Sequence, residues 1–85
     1  MEPRDVALIE RLLPRNAELR RLWEEHRRLD RELGTLLEQR FLTPEEEARS
    51  QEIRKIKLAG RDRIEAILRE HRAASVGSAG ARSQP

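Results

Sequence analysis

The stretch from Leu19 to Leu37, LRRLWEEHRRLDRELGTLL, decides the fold. Its residues Leu19, Leu22, His26, Leu29, Leu33 and Leu36 alternate intervals of three and four, the heptad spacing of an amphipathic helix with a histidine in its apolar seam. Trp23, Asp30 and Leu37 repeat every seven residues beside that seam, so the buried face is wider than a two-stranded contact requires. Asn16 is a good N-cap, and the pattern predicts a helix from about Asn16 to about Arg40. Gly34 sits in its interior at a cost of up to about 1 kcal/mol relative to alanine.

Immediately downstream, Phe41, Leu42, Thr43 and Pro44 predict a turn at 41–44. Thr43 with Glu46 is a capping box, Pro44 suits the first helical position, and Glu45, Glu46 and Glu47 stand where the helix dipole favours negative charge. A further helix is expected from Pro44 to about Arg72, with Ile53, Ile56, Gly60, Ile64, Ile67 and His71 on one stripe. Glu24 with Arg28 on the first of these helices, and Glu45 with Arg49 and Glu65 with Arg69 on the second, are spaced to pair along the solvent-facing sides.

Two long helices joined by so short a turn must run antiparallel, with facing residue numbers adding to about 83. Leu19 then falls near Ile64, Trp23 near Gly60, His26 near Ile56 and Lys57, and Leu29 near Ile53. The largest side chain would meet the smallest, as a knob in its hole. Leu19, Leu22, Trp23, His26, Leu29, Leu33, Leu36, Ile53, Ile56, Gly60, Ile64 and Ile67 are thus the expected core and interface.

Outside this hairpin, assigned to 16–72, lie two smaller pieces. Residues 1–15 hold a short helix from Pro3 to Leu13, opened by a first-turn proline and ended by Pro14. Its apolar residues are expected to pack over the open end of the hairpin. A membrane-surface role is disfavoured because Glu2, Asp5 and Glu10 offset Arg4, Arg11 and Arg15. Residues 73–85 carry Gly77, Gly80 and three serines around the single large apolar Val76, so a disordered tail is expected there. The fold class is all-α: a short N-terminal helix, an antiparallel coiled-coil-like two-helix hairpin, and a disordered C-terminal tail.

Composition agrees. Of the 85 residues 40% are charged and 2% aromatic, a profile of solvated helices with too little aromatic and β-branched material for a β core. Cysteine is absent, which excludes disulfides, thiolate chemistry and Cys-based zinc sites. No apolar run has the length of a membrane span, and Arg4, Asp5, Glu10 and Arg11 interrupt any signal-peptide core, so a cytoplasmic location is expected. Between Asn16 and Arg72 there are 14 basic and 13 acidic residues, and glutamates interleave the doublets Arg20–Arg21 and Arg27–Arg28. Nucleic-acid binding by counterion release needs uncompensated charge, and stacking platforms need more than one Trp and one Phe.

The run Leu22 to Leu33 (Leu, Trp, Glu, Glu, His, Arg, Arg, Leu, Asp, Arg, Glu, Leu) resembles the pattern RLFxEHxxLDxEI of the YdcH-like family of small bacterial helical proteins, a domain of unknown function. Trp23 stands where that family usually has Phe. Lys57 to Ile64 is similar to the family's KLxLKDxI, with Gly60 in place of the usual leucine. The likeness spans Asn16 to Leu68. It implies a helical hairpin that assembles with copies of itself, without a known enzyme activity or cofactor.

His26 and Asp30 lie at i, i+4, close enough to share a metal or a proton, yet a structural metal site needs about four ligands and His71 is far away in the register. The Glu-x-x-His signature of di-iron bundles is missing. A seam histidine hydrogen-bonded to Asp30 or to a cross-helix group is the favoured alternative. No phosphate loop, activated nucleophile or paired apolar carboxylates occur, so the chain is read as a non-enzyme without cofactor or metal.

The expected function is structural or interaction-mediating self-association. Trp23, Leu37, Leu58 and Leu68 lack obvious cover, and a homodimer forming a four-helix bundle would bury them. An unidentified protein partner is compatible with the same surface. The alternative from another class is an RNA- or ribosome-associated accessory protein, and a third is a pH- or metal-responsive switch.

Overall fold

The computed structural model describes residues 1–83, with side chains for 1–75. Among these residues there are three α-helices and no strand: α1 (Pro3–Leu12), α2 (Ala17–Leu37) and α3 (Pro44–Ser83), with a 3-10 turn at Leu13–Arg15 between the first two.

Local chemistry accounts for each start. Pro3 stands in the first turn of α1, where its missing N–H leaves no donor unpaired. Pro14 lies within the 3-10 turn, after which Asn16 is extended (φ −137°, ψ 102°) and its side-chain oxygen accepts from the Leu19 N–H at 2.9 Å. Both bonds of the expected capping box form: the Thr43 N–H donates to Glu46 Oε1 at 2.9 Å and the Glu46 N–H to Thr43 Oγ1 at 3.1 Å.

Two boundaries differ from expectation. Helix α2 ends at Leu37, short of Arg40. The Glu38 N–H reaches the Gly34 carbonyl and the Gln39 N–H the Leu36 carbonyl, both at 3.1 Å, a tightening that closes the last turn. The link to α3 therefore occupies 38–43 instead of a turn at 41–44. Helix α3 runs beyond Arg72 to Ser83, because Ala73, Ala74, Ala79 and Ala81 favour helix and no proline intervenes before Pro85. Of the tail expected over 73–85, the last two residues and the side chains from 76 onward lie outside the described residues.

Helices α2 and α3 pack along one another. Glu18 pairs with Arg63, Asp30 with Lys57 and Glu32 with Arg49, residue numbers rising in one helix as they fall in the other. The core divides into two clusters. Leu29, Leu33 and Ile53, joined by the half-buried Leu36 and Ile56, lie toward the link. Toward the other end, Leu8 and Ile9 of α1 join Leu19, Ile64, Ile67 and Leu68, with Leu12, Leu13, Leu22 and Trp23 packed against them.

The second cluster corrects two expectations. Leu68 is covered, at 2% exposure, because α1 brings Leu8 and Ile9 to it. Trp23 does not fill the space at Gly60: a Cβ there would meet nothing within 4 Å, while the indole packs against the α1 cluster. The indole has a different cluster to pack on, one that Leu8 and Ile9 of α1 complete beside Leu19, Ile64, Ile67 and Leu68.

Candidate functional site

Midway along the helix pair, between the two clusters, lies a groove of about 250 Å³ lined by Leu22, Glu25, His26 and Leu29 of α2 and Ile56, Lys57, Ala59 and Gly60 of α3. Helical spacing builds it. Leu22, Glu25 and Leu29 step by three and four along one edge of α2, and Ile56 with Ala59 and Gly60 do the same on α3. Gly60 and Ala59 are small, so the α3 wall is low; no residue of α1 contributes to the lining.

Ion pairs close the groove at both ends. Arg63 donates through Nε and Nη2 to Glu18, each at 2.9 Å. Arg49 donates to Glu32 through Nε at 2.5 Å and Nη2 at 2.9 Å, and through Nη1 to Glu52 at 3.0 Å. These forked bonds hold the Glu18 and Glu32 carboxyls below their ordinary range. Arg49 thus reaches across to the other helix instead of pairing with Glu45 on its own, and near Arg28 the carboxylate is Glu25, at 4.0 Å, in place of Glu24.

His26 stands at the groove wall. Its ring stacks on Trp23 with centroids 5.7 Å apart and planes 10° apart, so the half-buried indole links the groove to the α1 cluster. The expected hydrogen bond to Asp30 or across the helices is not made at Nδ1, which is buried without a partner among the described residues. Asp30 is bound to Lys57 instead, and that ammonium holds its carboxyl below the ordinary value. Burial holds the imidazole pKa below 6.5; Asp30 opposes the shift, while Lys57, the amino terminus and Arg61 add to it. A second pocket, lined by Met1, Asp30, Leu58 and Arg61 with His26 and Lys57, brings the start of the chain to this point.

The residues expected in the seam are placed as follows. Leu19, Leu29, Leu33, Ile53, Ile64 and Ile67 are buried, and Leu22, Trp23, His26, Leu36, Ile56 and Gly60 are half-buried. The seam reading missed Ser50, which is buried with its hydroxyl donating to the Glu47 carbonyl at 2.8 Å. Its position three residues before Ile53 on the seam stripe was the available signal. Leu58 remains 61% exposed and Leu37 56%.

Among the described residues no group of three or more His, Cys, Asp or Glu is placed to hold a metal ion. No described helix is long and apolar enough to cross a membrane. Compared with known proteins, the chain matches no family model, no curated protein and no solved structure.

Proposed function

We propose that α2 and α3 form an antiparallel hairpin serving as a structural interaction module, and that two copies associate into a four-helix bundle, with no catalytic role. The observation that carries this is the apolar groove left open midway along the pair, walled by the half-buried Leu22 and Ile56 over the buried Leu29, with a low α3 wall at Gly60, where a Cβ would find open space. Half-buried apolar walls gain about 25 cal/mol for each Å² they remove from water, which a second helical surface supplies. The resemblance to the YdcH-like family supports the same reading, since it implies a hairpin that assembles with its own copies.

Sedimentation equilibrium across micromolar concentrations tests it. The expected result is a species of about 20 kDa in reversible exchange with the 10.0 kDa chain. A single 10.0 kDa species throughout overturns the proposal. Filter retention of RNA with steep salt dependence would replace it by the RNA-associated alternative.

A further inference from the structure

The 3-10 turn that carries Pro14 joins α1 to α2, and beside it two adjoining pockets of about 350 and 390 Å³ open against α3. Arg15, His71 and the half-buried Leu12 line both, Arg11 lines the first, and Asn16 and Glu70 line the second. Three elements thus bring their side chains to one corner: Arg11 from the last turn of α1, Arg15 from the 3-10 turn and His71 from α3. None of these residues lines the groove at mid-hairpin.

In the sequence Arg11 and Arg15 are balanced by neighbouring carboxylates, but the fold ties those carboxylates elsewhere. Asp5 accepts from Arg72 at 2.6 Å. Glu18 accepts from Nε and Nη2 of Arg63 at 2.9 Å each, and Glu70 lies 3.6 Å from Nη1 of the same guanidinium. Glu10, next to Arg11 in the chain, lines neither pocket. Among the described residues Arg11, Arg15 and His71 therefore make no ion pair and no side-chain hydrogen bond. Asn16 adds the N-terminus of α2, with its partial positive charge, at the rim of the second pocket.

We infer that this corner binds a phosphate group, held by the guanidinium groups of Arg11 and Arg15 and the imidazole of His71. A guanidinium fork pairs with two oxygens of one anion, which suits it to phosphate and carboxylate alike. A carboxylate has only two oxygens, and two forks with an imidazole offer more donors than it can accept. A tetrahedral phosphate presents oxygens in several directions to donors arriving from separate elements. The apolar wall at Leu12 also matters, because charges beside a surface of low dielectric are screened less than charges on an open helix face. Since no groove residue takes part, one copy of the chain suffices. The phosphate of a small ester and that of a nucleic-acid backbone share this chemistry.

Titration of the ¹⁵N-labelled chain with inorganic phosphate, against chloride at matched ionic strength and fixed pH, tests the site. The expected result is saturable binding with a Kd of about 1 mM or tighter, the largest amide shifts falling within 11–17 and 67–72. Arg11→Gln combined with Arg15→Gln should weaken it about tenfold or more. Arg27→Gln combined with Arg54→Gln removes as much charge from exposed positions that line neither pocket, and should leave the Kd within about twofold. All four positions except Arg54 and Arg27 border the pockets, none is in the buried core, and circular dichroism checks that each variant keeps its helices. Shifts that never saturate, or equal losses in the two double variants, overturn the site and reduce the effect to general charge attraction. Glycerol phosphate and a single-stranded RNA then separate the sources. Displacement of phosphate by the ester and not by the RNA identifies a small ligand, whereas displacement by the RNA, lost in the Arg11 and Arg15 variant, identifies a nucleic-acid backbone.

Discussion

Gly60 is a glycine in mid-helix with no conformational need to be one, since its φ is not positive and a Cβ would touch nothing within 4 Å. Gly60→Ala should therefore stabilise the folded chain by about 0.8 to 1 kcal/mol through propensity alone. Thermal melts at a fixed low concentration check it, and a lower Tm would mean that the space at Gly60 is occupied. Trp23 spends its volume on the α1 cluster, so Trp23→Phe and Gly60→Ala should be additive within about 0.5 kcal/mol. His26 makes a prediction of opposite character. Its folded pKa lies below the unfolded 6.5, so the unfolded chain binds the proton more tightly. Its contribution to stability is full above about 6.5, falls as pH drops below that value, and levels off beneath the folded pKa. Asp30, depressed by Lys57, titrates below 3.8 and loses its contribution only in that lower window. Melts of the parent and His26→Leu from pH 5 to 8 should therefore diverge toward pH 5; parallel profiles would remove the buried, neutral imidazole from the account.

At the scale of the element, the starts of α2 and α3 were legible because a cap is written within four residues of chain, and that of α1 because Pro3 stands in its first turn. Asn16 and the Thr43–Glu46 box are such cases, and Asn16→Ala should cost about 1 kcal/mol by leaving the Leu19 N–H unpaired. The seam was legible for the same reason: Leu19, Leu29, Ile53 and Ile64 sit on stripes whose period alone selects them. What periodicity does not contain is the identity of the neighbour. Trp23 and Leu68 both lie beside the seam, and nothing in α2 or α3 says that α1 will reach them in preference to a second copy. The groove escaped for a related reason, since it is an absence between two helices and depends on the direction Trp23 takes. Helix α1 is accordingly the element to remove. Ile9 is fully buried against Leu19 and Ile64, and Ile9→Ala should cost about 2 to 5 kcal/mol, with Trp23 fluorescence shifting to the red as its cover loosens.

The molecule as a whole is a rod of 64 × 21 × 19 Å, and a rod has much surface for its interior. Its buried residues form two small clusters divided by the groove, which the ion pairs of Glu18 and Glu32 close at its ends and that of Asp30 with Lys57 spans between them. Exposed pairs of this kind contribute little each and are weakened by salt. Burial in a second copy would bridge the two clusters into one continuous core, and anything that binds only the folded chain raises its apparent stability with concentration. The Tm should therefore climb as the chain is taken from about 1 to about 100 µM, with the apparent stability rising by up to about 2.7 kcal/mol, the value for a hundredfold excess over Kd. Salt sharpens the expectation: an association that buries the apolar groove should keep or steepen that climb between about 0.05 and 0.5 M, while a flattened climb would mean that charge pairs carry it. A Tm independent of concentration at every salt would mean that the clusters stand alone as a monomeric rod.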